Sequence, residues 1–114
     1  MKSKVVTLES PYAPNAETGA TIETHVAYAH RAMRDCIDRG EAPYASHLLY
    51  PHVLDEFNPA ERALGIQLGY EWMIYADEVV VYTDYGISHG MKAAIEYATA
   101  NEITVVYRSI GGNP

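Results

Sequence analysis

Glu78-Val-Val-Val-Tyr-Thr-Asp-Tyr-Gly-Ile-Ser-His-Gly-Met91, running on to Ala98, decides the fold. An apolar run rich in β-branched residues ends at Asp84. A turn punctuated by Gly86 and Gly90 follows, and then apolar residues recur at helical spacing. Strand, turn and helix in this order form the unit on which doubly wound α/β proteins build their ligand sites. The turn carries no acidic residue at the start of its helix. The sequence therefore predicts a ligand pocket at this turn that lacks a carboxylate to react in it.

The same alternation recurs on both sides. Lys4–Glu9 reads as a first strand, and Ser10–Gly19, with two prolines and a glycine, as a loop. From Thr21 to Arg39 the apolar residues Ile22, Val26, Ala29, Met33, Cys36 and Ile37 return every third or fourth position, the stripe of a helix that Gly40 stops. Ala42–Ser46 is a short second strand, and His47–Phe57 a loop. Asn58-Pro-Ala-Glu61 opens a second helix: Asn caps, Pro suits the first helical position, and Glu61 can close a capping box. That helix runs to Ala76. It bears two apolar stripes, Leu64/Leu68/Trp72/Tyr75 and Ile66/Tyr70/Met73/Ile74, where a surface helix needs one. The surplus predicts a homo-oligomer through residues 59–76, with Gly65 and Gly69 permitting close approach. Glu78–Thr83 is the third strand, Ser88 or His89 to Asn101 the third helix, Ile103–Arg108 the fourth strand, and Ile110–Pro114 a tail. Strands separated by helices imply one α/β domain over residues 1–114. Its expected form is three-layered and flavodoxin- or Rossmann-like, with a mostly parallel sheet of four or five strands and helices on both faces. Ligands of such sheets lie beyond the strand carboxyl ends, where Ser10–Pro14, Ser46–Leu49, Asp84–Met91 and Arg108–Ser109 should converge.

Composition narrows the partners. With 15 acids against 8 bases the formal charge is −7, so the basic footprint of a nucleic-acid binder is missing. No apolar run approaches a membrane span. The basic start Met1-Lys-Ser-Lys precedes too few apolar residues for a secretory signal, and a cytoplasmic location is expected. A single cysteine, Cys36, excludes an internal disulfide and lies on the first helix's apolar stripe, where an inert buried thiol is expected. Ten Tyr against one Trp and one Phe are too many for one site. Some should pack, and some should line a wet interface or a base-stacking pocket.

Several motifs carry two readings. Gly86-Ile-Ser-His-Gly90 matches the nucleophile elbow of hydrolases, but after Ser88 no Asp follows and the only His is the adjacent His89, so a triad is rejected. Ser88 should cap the third helix, with the backbone amides of Ser88–Met91 aimed at an anion or simply capped. His47 and His52 with Asp55 and Glu56 match no metal-ligand spacing, and neither a metal nor a cofactor is expected. His47, directly after the second strand, belongs at the pocket edge. His25 and His30 fall near the polar side of the first helix. Asp84 could accept from a ribose or base, or satisfy its own turn. Arg108 could hold a phosphate or carboxylate, or be a solvated strand end. Tyr12, after Ser10-Pro11, could stack on a base or pack its loop. Glu96 lies about two turns into the third helix, where a solvated face competes with a catalytic role.

With these residues placed, the chain resembles the nucleoside 2-deoxyribosyltransferase-like superfamily, and especially small members encoded by bacteriophages. The resemblance is carried by Val-Thr-Leu-Glu-Ser-Pro-Tyr12, Arg-Gly-Glu-Ala-Pro-Tyr-Ala-Ser-His-Leu-Leu-Tyr50 and Asp-Tyr-Gly-Ile-Ser-His-Gly-Met91 on to Glu-Tyr-Ala98. It implies a flavodoxin-like fold, oligomers, and a nucleoside or nucleotide pocket. Enzymes of the superfamily cleave an N-glycosidic bond through a glutamate in the pattern D-x-G-x-G-x-E. Aligning the helices sets Ser88-His-Gly-Met-Lys-Ala-Ala94 against it, with Ala94 at the glutamate and Ser88 at the aspartate. Starting the pattern at Asp84 puts Gly90 at the glutamate instead. Glu96 could substitute only if the helix were rotated, since two residues turn a side chain by about 200°. The binding positions Ser10, Tyr12, Ser88 and Gly90 carry over; the nucleophile does not.

The expectation is a nucleotide-binding, non-catalytic protein, such as a phage anti-defence sponge that sequesters a cyclic ADP-ribose derivative or cyclic dinucleotide. Ser10, Pro11, Tyr12, His47, Asp84, Gly86, Ser88, His89, Gly90, Met91 and Arg108 are the expected ligand contacts. The alternative is a nucleoside or nucleotide N-glycosidase or deoxyribosyltransferase using Glu96 as nucleophile, or Asp84 to position water.

Overall fold

The computed structural model describes residues 3–111. Of the basic start and the expected tail, Met1, Lys2 and residues 112–114 lie outside the described residues. The elements are β1 (Lys4–Glu9), α1 (Ile22–Asp38), β2 (Glu41–Tyr44), α2 (Pro59–Met73), β3 (Glu78–Tyr82), α3 (His89–Ala100) and β4 (Thr104–Arg108), with 3₁₀ turns at Ser46–Leu48 and Tyr50–His52. All strand pairs are parallel, in the order β2-β1-β3-β4.

The central strand explains its own sequence. Val79, Val80 and Val81 are fully buried, because a parallel strand covered on both faces has no polar side to show. Val6 and Leu8 of β1 and Val80 and Tyr82 of β3 pack with Tyr28, Ala32 and Cys36 of α1. On the other face, Val79 and Val81 pack with Met73 of α2 and Met91, Ala94 and Ala98 of α3. The result is the expected three-layer α/β arrangement, α1 on one face and α2 with α3 on the other. Pro43, which has no N–H to donate, lies in an edge strand.

Local rules place most element ends. Thr21 caps α1 through the amide of Thr24. Asn58 caps α2 through the amides of Ala60 and Glu61. The capping box expected there does not close, because the Glu61 carboxylate takes the amide of Asp55 instead. The second strand is shifted from Ala42–Ser46 to Glu41–Tyr44, since Ser46 already begins a 3₁₀ turn. Helix α2 stops at Met73 rather than Ala76, in a turn whose amides at Tyr75 and Ala76 bond Trp72 and Met73 carbonyls.

Neither expected stripe of α2 alone faces the core. Its buried line is Gly65, Gly69 and Met73, one residue per turn. A Cβ at Gly69 would stand 2.7 Å from Ser46 Oγ and 3.1 Å from Ser46 Cβ. Glycine there lets the Ser46–Leu48 turn lie against the helix. Leu64, Ile66, Trp72, Ile74 and Tyr75 remain exposed. His25, expected near the polar side of α1, is buried instead; its Nδ1 lies 3.2 Å from the Tyr12 carbonyl and its ring meets Tyr85 edge-on.

Candidate functional site

From β1 the chain goes outward to β2 and then back across to β3 on the other side of β1. The loops leaving β1 and β3 therefore part at the sheet's carboxyl edge, the position where α/β sheets open a crevice. A cleft of about 890 Å³ lies there, within the roughly 300–1,000 Å³ typical of small-molecule sites. The first loop, the Ser46–Leu48 turn, the inner side of α2 and the start of α3 enclose it.

Most of the expected contacts meet in this cleft: Ser10, Pro11, Tyr12, His47, Gly86, Ser88, His89, Gly90 and Met91 all line it. Ser10 is buried, and its Oγ lies 2.8 Å from His47 Nε2. Burial pushes the His47 imidazole down to about 4, so at neutral pH it is uncharged, and the tautomer decides which partner donates. Gly86 takes φ +84°, a conformation that suits glycine and turns the chain from β3 toward α3. Ser88 Oγ accepts the amide of Met91 at 3.3 Å and Met91 Sδ that of Ser88 at 3.4 Å, so of the first turn of α3 His89 and Gly90 bring the uncapped amides to the cleft wall. Burial, then Glu56 and Glu23, raise the Tyr12 hydroxyl, so it remains a neutral donor.

Three expected site residues are not brought in. Arg108 points to the α1 side, where its guanidinium grips Glu41 with both nitrogens, at 2.7 and 2.6 Å. Its side chain is only 8% exposed, and it also reaches Tyr82 Oη. The strand parity that sends Val106 toward α1 sends Arg108 there too. Asp84 is saturated within the fold: Tyr28 Oη donates to it at 2.5 Å, Ser109 Oγ at 2.7 Å, and the amides of Ile110 and Gly111 at 3.0 and 3.2 Å. It clamps the segment after β4 rather than a ligand. Glu96 is exposed and lies outside the cleft lining, because two residues beyond Ala94 rotate it off the buried face.

Carboxyls are nevertheless present, contrary to the expectation of a cleft without one: Glu17 and Glu56 stand in its loop walls, and a third closes β1. Glu9, the last residue of β1, lines the cleft. It pairs in register with Val81 and so emerges on the α2/α3 side. Burial pushes its carboxyl up to about 8. A charged residue closing the buried run Val-Val-Thr-Leu was the signal for it. Sequence reasoning weighed Asp55, Glu56, Asp84 and Glu96 and passed over the end of the first strand. Tyr70, Tyr85, Tyr50 and His25 also line the cleft, as do Arg62 and Lys92, its exposed cations. No group of three His, Cys, Asp or Glu suited to a metal ion occurs among the described residues. No helix among them is long and apolar enough to cross a membrane.

Comparison with curated proteins finds no match. Residues 4–108, from the first residue of β1 to the last of β4, match the family model described as "Domain of unknown function (DUF7768)", and the chain belongs to that family.

Proposed function

We propose that the cleft binds a nucleoside or nucleotide and holds it intact, as a protein that sequesters a nucleotide second messenger would. The observation that carries this reading is the cleft's place, at the split between the β1 and β3 loops beside the first turn of α3. Tyr12, Tyr70 and Tyr85 offer aromatic faces, Ser10 and His47 neutral polar groups, and Lys92 with the α3 amides a place for phosphate. Acid chemistry favours retention over turnover: a carboxyl with a pKa of about 8 is mostly protonated at neutral pH, and a protonated carboxyl is a poor nucleophile.

Titration calorimetry at neutral pH with nucleosides, their 5′-monophosphates, cyclic dinucleotides and cyclic ADP-ribose tests the reading. At least one is expected to bind at micromolar concentration and to be recovered unaltered by chromatography after heat denaturation. Lys92→Glu is expected to weaken the phosphorylated ligand and spare the unphosphorylated one. Absence of heat with the whole panel refutes the reading. Glu9 also supports a second reading, N-glycosidic cleavage with its protonated carboxyl as the acid that serves the leaving base; free base in the same chromatogram identifies it.

The exposed side of α2 belongs to this proposal as the contact between two copies of the chain. Sedimentation velocity is expected to show a dimer or larger species, and a monomer at high micromolar concentration refutes it.

A further inference from the structure

Glu9 differs from Asp35, Glu41 and Asp84, the part-buried acids of the α1 side and of the segment after β4, in what surrounds it. Asp35 accepts from Tyr82 and Arg39, Glu41 from Arg108, and Asp84 from four donors. Each is matched by groups that hold an anion. The Glu9 side chain has no hydrogen bond and no ion pair among the described residues. Its strand position aims it between α2 and α3.

The groups around it do not supply a counter-charge. From α2, Tyr70 is near enough for the Glu9 charge to help raise its hydroxyl, after burial. From the turn after β2, His47 is neutral. From α3 come Lys92, exposed on the cleft wall, and Glu96, exposed outside it; Arg62 of α2 is exposed as well. The cations thus sit where water reaches them, Glu17 and Glu56 of the loops add only negative charge to the lining, and buried His25 is engaged with the Tyr12 carbonyl and the Tyr85 ring. A part-buried carboxylate without a partner loses hydration that nothing replaces, and protonation removes that cost.

We propose that Glu9 is the specificity-determining residue of the cleft, presenting a neutral carboxyl as hydrogen-bond donor to an uncharged acceptor such as a ring nitrogen or carbonyl of a base, and rejecting an anion at that position. The assignment rests on the nucleotide reading for the identity of the acceptor, and on the fold alone for the state of the acid. It fixes the ligand's direction: base inward toward Glu9, phosphate outward toward Lys92. The acid behaves like other carboxyls kept neutral by an apolar site so that they can donate. Enclosure pushing Glu9 up to about 8 agrees with this geometry.

Two measurements on the full chain separate this inference from the reading beneath it. Dicyclohexylcarbodiimide adds the O–H of a protonated carboxyl across its C=N bond and leaves a mass tag. At pH 7 Glu9 is expected to be tagged at least about tenfold more than exposed Glu96, and about 30-fold less at pH 9.5 than at pH 7. Tagging no greater than at Glu96, or unchanged at pH 9.5, overturns the proposal. Deoxyadenosine and deoxycytidine, whose bases have no proton to lose in this range, are the binding probes. Their affinity is expected to fall about 30-fold between pH 7 and pH 9.5 in the unmodified chain. In Glu9→Gln, which keeps a neutral donor, it should stay flat. Affinity independent of pH in the unmodified chain overturns the proposal while leaving nucleotide binding intact. Glu9 tagged as expected with no nucleoside bound refutes the nucleotide reading and upholds the neutral acid.

Discussion

Arg108→Ala is expected to destabilise the protein by about 3–5 kcal/mol, lowering the urea midpoint by at least about 1 M. The fork to Glu41 is buried at both ends, 8% and 9% exposed. Removing the guanidinium strands a carboxylate that the Arg108 hydrogen bonds now hold below the usual range. It also takes away a partner of Tyr82 Oη, which lies 3.4 Å from Cys36 Sγ and donates to Asp35 at 2.6 Å. Arg108→Lys should recover little, since an ammonium cannot reproduce a two-nitrogen grip. The double variant Arg108→Met/Glu41→Leu should lose far less than the two single changes together, because both desolvation costs disappear with the pair. Equilibrium urea unfolding of the four proteins closes the cycle. A loss under about 1 kcal/mol for Arg108→Ala would show that the pair is solvated.

Asp84→Ala should cost about 2–4 kcal/mol, because one carboxylate serves four donors from α1 and from the segment after β4. Tyr28 Oη also accepts the Asp84 amide at 2.8 Å, so the loss spreads to α1. Amide hydrogen exchange at Ile110 and Gly111 should accelerate in the variant, and unchanged rates there would refute the clamp. The pH dependence follows from the direction of the shift. Partial burial works against the Asp84 anion, but the bonds from Tyr28, Ser109 and the two amides outweigh it and hold the carboxyl well below the usual range. The unfolded chain then takes up its proton first as pH falls. The Asp84 contribution is complete above the ordinary carboxyl value of about 4 and is lost on acidification below it. Asp35 and Glu41 are shifted the same way, so Asp84→Ala should flatten the acid limb of the stability curve without abolishing it.

The legible parts of the site are those fixed by chain geometry. Ser88 and Gly86 were readable because a strand running into a glycine turn and a capped helix leaves few other conformations. His47 followed from its place after the second strand, although its partner Ser10, 37 residues away, did not. Arg108 was placed at the correct end of the correct strand, but its side chain turns to the α1 face, away from the cleft. A solvated end and a buried fork to Glu41 look the same in sequence, because the partner is 67 residues away. Glu9 was hidden differently. It reads as an ordinary strand end, and only the packing of α2 and α3 beside it makes it a part-buried acid in the cleft wall.

By itself the sequence determined the parallel α/β layering, the capped helix starts and the edge of the sheet at which a cleft opens. Those features rest on periodicity and on backbone preferences within a few residues. Tertiary structure alone decided which polar side chains are spent on holding the fold and which are left facing the cleft. That division depends on partners far apart along the chain and on the loss of water around them, and neither is written in local spacing.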